Sequence, residues 1–116
     1  MFDSSCIFCK IIQGSIPSTI IKENEYVTVI ENIAPKAPTH YLIIPKKHLS
    51  DIAQLTDADQ QFGWNIFKIA RDIAQEKNLS GFNLISNNGK SAGQSVFHLH
   101  FHFMAGKNLY SGGFTL

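Results

Sequence analysis

The run Phe97-His98-Leu99-His100-Phe101-His102-Phe103 sets three imidazoles in alternation with apolar residues. Side chains of a strand alternate between faces. The pattern therefore predicts Phe97, Leu99, Phe101 and Phe103 on a core, with the histidines in one row at intervals of roughly 6.6 Å on the opposite face. With five histidines in 116 residues, a chance H-x-H-x-H is expected only roughly 0.01 times. A solvated polar face and a row of metal ligands are the plain readings. Catalysis has the better physical support, because a large share of imidazole at neutral pH carries the lone pair that a nucleophile needs. Three rings this close repel one another when charged, so the expected state is a neutral nucleophile beside one cationic neighbour.

The loop at residues 87–95 precedes the row and suggests the electrophile. Gly89 and Gly93 let backbone N–H groups approach an anion closely, and Asn87, Gln94 and Ser95 add side-chain donors. That combination suits a phosphate, whereas the alternative is a hairpin loop with no ligand. Gly89-Lys90-Ser91 is not a P-loop, since the earlier glycine of that motif would fall at Leu84 and a strand rather than a helix follows. Cys6 and Cys9 form a C-x-x-C. Such a pair is half of a tetrahedral metal site when two more ligands arrive from elsewhere, a redox pair, or two inert thiols.

These groups need a scaffold to hold them. Residues 6–12 read as a short apolar helix or turn closed by Gln13-Gly14. Ile20-Ile21 and residues 26–30 flank a polar stretch and read as a hairpin, and residues 41–44 form a third strand stopped by Pro45. Between Asp57 and Lys77, Phe62, Ile66, Ile69, Ala70 and Ile73 recur at helical spacing. Thr56 is the N-cap with Asp59 as capping-box partner, and Asn78 and Gly81 are stop signals. Residues 82–86 and 96–104 are two further strands. One long helix covering a sheet of mostly antiparallel strands is an α+β layout.

The chain has room for one domain, and a composition of 44% hydrophobic and 16% charged residues excludes disorder. A net charge of +1 disfavours a dedicated nucleic-acid binder. The longest stretch free of Asp, Glu, Lys and Arg, residues 91–106, holds three histidines and is too short to span a membrane. Asp3 stands where a signal peptide would be basic, so the expected location is cytoplasmic.

The segment from His98 to Met104 resembles the signature of the histidine-triad (HIT) family, His-x-His-x-His followed by two apolar residues. The resemblance extends in order through Ile7-Phe8, Lys10-Ile11-Ile12, Ala37-Pro38-Thr39-His40, Ile44-Pro45-Lys46-Lys47-His48 and Gly93-Gln94-Ser95-Val96. It is greatest for the Hint-like branch of nucleoside phosphoramidate hydrolases. The resemblance implies a single HIT domain over residues 1–116, with an antiparallel five-stranded sheet, one long helix and a short N-terminal helix.

It also implies hydrolysis of purine nucleoside 5'-phosphoramidates. His100 would be the nucleophile and carry the nucleotidyl group. His102 would touch the phosphoryl oxygens and help move a proton to the leaving amine, while His98 and His40 would set ring orientation and tautomer. Ser95 and nearby N–H groups would stabilise charge on the phosphoryl oxygens. By the same resemblance Phe8, Ile11, Ile30 and Ile33 form the base pocket, although strand residues such as Ile30 also serve as plain core.

Asn32 stands where Hint-like chains place an Asp that accepts both ribose hydroxyls, and its amide has one acceptor end and one donor end. The tail, residues 111–116, lacks the family's Trp-Pro segment. Some bacterial members complete a C-x-x-C with two histidines, here His48 and His98, as a structural zinc site, and catalysis needs no metal. A homodimer joined through its sheets is the family's usual state, with the helix bearing Trp64 as a contact surface. A dinucleoside polyphosphate hydrolase using His100, or a non-catalytic zinc- and nucleotide-binding adaptor, are the competing readings. Leu99 and Phe101 exclude the His-Pro-His transferase branch.

Overall fold

Asn24 reverses the chain early. Its N–H donates to the Val27 carbonyl at 3.0 Å, and its Oδ1 accepts from the Tyr26 and Val27 N–H groups at 2.8 and 3.0 Å. An Asx-type turn of this kind closes a hairpin without glycine. It joins strand β1 (Ile20–Glu23) to β2 (Val27–Glu31), after a short N-terminal helix α1 (Ile7–Ile12). Strand β3 (Thr39–Pro45), helix α2 (Gln60–Glu76), β4 (Asn83–Ile85) and β5 (Phe101–Ala105) follow. This computed structural model describes residues 2–113, so the tail residues Phe114, Thr115 and Leu116 lie outside it.

The sheet order is β1-β2-β3-β5-β4 with every neighbouring pair antiparallel, which is the α+β architecture expected. Alternation along β3 divides the core in two. Tyr41 and Ile43 join Val27, Val29, Phe101 and Phe103 under the α2 stripe Ile66, Ile69, Ala70 and Ile73. Leu42 and Ile44 join Ile30 under Phe8, Cys9 and Ile11 of α1 on the opposite face. Each stripe hides its apolar area from water, the main favourable contribution to folding.

The long helix begins three residues later than the spacing suggests, because residues 57–59 first wind as a 3₁₀ turn. The buried Asp59 carboxylate accepts from the Thr56 N–H and Oγ1 and from Lys47 Nζ, which satisfies the helix entrance. Asn78 takes a left-handed φ of 53°, the helix stop. Among the described residues no helix is long and apolar enough to cross a membrane.

The strand expected over residues 96–104 is the main correction. Only Phe101–Ala105 pairs in the sheet, and the β3–β5 ladder ends at Ile43 opposite Phe101. Beyond Ile44 lies Pro45, which has no N–H to offer a ladder, and its carbonyl is taken by His98 Nε2 at 2.8 Å. Leu99 donates its N–H to the Leu49 carbonyl at 2.6 Å instead of to a strand. Phe97, expected in the core, is therefore half exposed. The histidines do not form one row: His98 turns into the interior, and only His100 and His102 remain neighbours on this segment.

Candidate active site

Two side-chain groups meet where β5 begins. In the first, His100 and His102 lie 5.4 Å apart between ring centroids, and His40 of β3 lies 5.1 Å from His102. Register sets up the second pair, since His40 pairs with Met104 and Leu42 with His102, so His40 and His102 project on one face.

The protons can be placed from the main chain outward. His100 Nδ1 donates to the His98 carbonyl at 2.7 Å, which leaves the Nε2 lone pair free. The Lys36 N–H donates to His40 Nδ1 at 3.0 Å, so the proton of neutral His40 is on Nε2. From there it is donated to His102 Nδ1 at 2.9 Å. His102 then carries its own proton on Nε2. The arrangement holds one ring as a lone-pair donor and another as a hydrogen-bond donor.

Burial disfavours charge on every ring. It lowers the His100 pKa, against the His98 carbonyl, and lowers that of His40, with Lys36 adding to the effect. For His102, burial and then repulsion from charged His100 and His40 push the value down to about 4. The neutral-plus-cationic mixture expected from the spacing is replaced by three neutral rings at pH 7.

Asn32 is tied to this group. Its Oδ1 accepts the Ala34 N–H at 2.9 Å, which places Nδ2 3.2 Å from the protonated Nε2 of His40. Donor faces donor there, whereas a carboxylate could accept from both. Asn32, Ile33 and His40 line a cleft of about 700 Å³ with Pro17, Thr19 and Pro35. Of the four residues assigned to a base pocket, only Ile33 borders it, and Ile33 is 99% exposed. Phe8, Ile11 and Ile30 are packed in the second core cluster instead. Phe8 still touches the site, meeting the His98 and His100 rings edge-on at 5.9 and 5.0 Å.

The loop before the histidines departs from a phosphate cradle. Gln94 Oε1 accepts the Gly89 N–H at 2.7 Å, and its Nε2 donates to the Ser50 and Val96 carbonyls at 2.6 and 3.0 Å. The Gly93 N–H donates to Lys90. Gln94 is thus a buried staple with both ends occupied, and neither glycine N–H is free for an anion. Asn87 and Ser95 are exposed, and Ser95 borders a cleft of about 510 Å³ with Cys6, His48, Ser50 and Phe97. Sequence reasoning missed Ser86, whose Oγ donates to the His100 carbonyl at 2.9 Å, and Asn88, whose Oδ1 accepts the Ile52 N–H at 2.8 Å. Only the fold pairs them with their partners.

The second group brings Cys6, Cys9, His48 and His98 together, with their ligand atoms all within 4.8 Å of one another. Cys6 Sγ lies 3.3 Å and Cys9 Sγ 3.6 Å from His98 Nδ1. His48 Nδ1 lies 3.3 Å from Cys9 Sγ and 3.2 Å from His98 Nδ1. A tetrahedron with arms of about 2.0–2.3 Å, typical of imidazole and thiolate ligation, has edges of roughly this length. Donation from His98 Nε2 to Pro45 leaves its Nδ1 lone pair facing the cluster. Burial pushes the His98 pKa down to about 4, which keeps the ring in its ligating neutral form. The four residues fit a metal ion.

Comparison with known proteins gives a consistent pattern. Residues 13–109 match the HIT domain. The chain is 44% identical over 101 residues to Protein hit of Bacillus subtilis, an alignment covering 86% of this chain and 70% of that one. Its structure is similar to a histidine triad protein from Clostridium difficile, with a TM-score of 0.89, 40% identity, and 94% and 96% of the two chains covered. It is also similar to a HIT family hydrolase from Clostridium thermocellum, with a TM-score of 0.87, 41% identity, and 92% and 95% covered.

Proposed function

The chain belongs to the HIT domain family, and from that premise we propose that it is a nucleotidyl hydrolase cleaving the P–N bond of purine nucleoside 5'-phosphoramidates through a nucleotidyl-His100 intermediate. The observation that carries this reading is the 2.7 Å hydrogen bond from His100 Nδ1 to the His98 carbonyl, which presents Nε2 as a lone pair. In the first step that lone pair bonds to the α-phosphorus as the P–N bond breaks. The leaving nitrogen departs with a proton drawn from solvent past His102, whose Nε2–H donates to a phosphoryl oxygen. Water then replaces His100 on phosphorus, releasing the nucleoside monophosphate and returning a proton to solvent.

Release of AMP from adenosine 5'-phosphoramidate, compared with cleavage of a diadenosine polyphosphate, tests the reading. Faster turnover of the phosphoramidate is expected. The reverse order assigns the chain to polyphosphate hydrolysis, and binding without turnover of either assigns it an adaptor role.

The same reading puts the ribose at Asn32, and support comes from the cleft that Asn32 lines together with His40. Asn32→Asp replaces the amide's donor end by a second acceptor for the ribose hydroxyls, so AMP binding should tighten about tenfold, the scale of one hydrogen bond to a charged group. Calorimetry measures it, and an unchanged or weaker Kd removes residue 32 from the ribose site.

The metal of the Cys6–Cys9–His48–His98 cluster is assigned as zinc, which favours two thiolates and two imidazoles in a closed tetrahedron. It would tie α1 to the sheet. Two buried free thiols suit the reducing cytoplasm. A homodimer is supported by exposed Trp64 and Phe67 on α2 and exposed Ile85 on the edge strand β4. Light scattering at micromolar concentration should return twice the chain mass, and a monomer mass ends that assignment.

A further inference from the structure

His98 belongs to both groups of the site. Its ring lies within 3.6 Å of both cysteine sulfurs and of His48, while its own carbonyl accepts the proton that defines the His100 tautomer. A second link runs through α1. Cys9 is one residue from Phe8, and Phe8 sets its edge against both the His98 and the His100 rings. A third link is Pro45, whose carbonyl holds His98 Nε2 at the point where the β3–β5 ladder stops. Residues 96–100 have no ladder to hold them. Among the described residues their main-chain N–H anchor is Leu99 on Leu49, with the Ser86 hydroxyl on the His100 carbonyl beside it.

We propose that the Cys6–Cys9–His48–His98 cluster, once it holds zinc, is the positioning device of the His100 nucleophile. By fixing His98 and α1 together, the cluster fixes the carbonyl that accepts the His100 Nδ1 proton and the Phe8 edge that backs the ring. His98 is thus a positioning residue and needs no contact with substrate. The inference rests on the reading of His100 as the nucleophile for its catalytic consequence, though not for its structural one.

Protein labelled with ¹⁵N-histidine, loaded with zinc and then stripped with a chelator under reducing conditions, tests the coupling. Multiple-bond ¹⁵N spectra of the loaded protein should show His100 in the single Nδ1–H tautomer, and the stripped protein should show both tautomers in exchange. In parallel kcat should fall roughly 10- to 100-fold with KM little changed, the scale of losing an outer partner of a reacting group. Reloading with zinc should restore both.

His48→Asn provides a second route if stripping unfolds the chain, since it removes only the ligand with a partly exposed ring. It should bind zinc more weakly and mix the His100 tautomers while circular dichroism stays native. An unchanged single tautomer in folded, zinc-free protein overturns the inference. Tautomers that respond to zinc in a protein with no turnover in either form would uphold it and overturn the hydrolase reading.

Discussion

On the proposed reading, His100→Ala should lower the release of AMP from adenosine 5'-phosphoramidate by roughly 10⁴-fold or more, the scale on which removing a covalent nucleophile acts. The substitution takes away the Nε2 lone pair together with the bond from Nδ1 to the His98 carbonyl and the ring contacts with Phe8 and His102. The main-chain carbonyl of residue 100 keeps its bond from Ser86, and His102 keeps its bond from His40. AMP binding should therefore stay within about threefold of wild type, so the loss appears in kcat. Comparable turnover by the variant would assign the attack to another group. The pH profile supplies an independent sign. Protonation of His100 destroys the lone pair, and burial lowers its pKa, so the acid limb of the wild-type profile should lie below the usual imidazole range. An acid limb at or above that range would contradict three neutral rings.

Phe103→Ala should cost about 3–5 kcal/mol, the cost of a large core truncation that leaves a cavity. Phe103 is fully buried, stacks on Phe82 at 4.7 Å and on Tyr41 at 6.1 Å, and lies beside His102 on the strand that carries it. Against the 5–15 kcal/mol typical of a whole domain, the loss is a large part of the stability. Urea unfolding should show a lower midpoint at unchanged slope, and Phe103→Leu should lose much less. A cost below about 1 kcal/mol for the alanine variant would mean that the core closes over the gap.

Elements with a strong local signal were legible in the chain itself. The α2 stripe, the Thr56–Asp59 entrance, the Asn78 stop and the hairpin all follow from spacing and turn chemistry within a few residues. The three histidines stood out for the same reason. What stayed hidden depends on distant partners. That Pro45 would end the ladder, and so free residues 96–100 from the sheet, follows only once β3 is paired with β5. Gln94 looked like a free donor because its three partners, Gly89, Ser50 and Val96, converge only in the folded loop. Ile30 was legible as buried, but whether it faced a ligand or a neighbouring helix was decided by α1.

The acceptor that sets the His100 tautomer is a main-chain atom, and every amino acid at position 98 would bring it. The ring of His98 and the backbone of His98 are thus heritable separately. A lineage could exchange Cys6, Cys9 and His48 for an apolar plug of similar volume and keep the His100 tautomer, provided that the plug held residues 96–100 as firmly. Cysteine loss without such packing would leave an intact triad on a loosened segment. The sequence trace of that history would be the three ligands drifting as a set while His100 stays fixed.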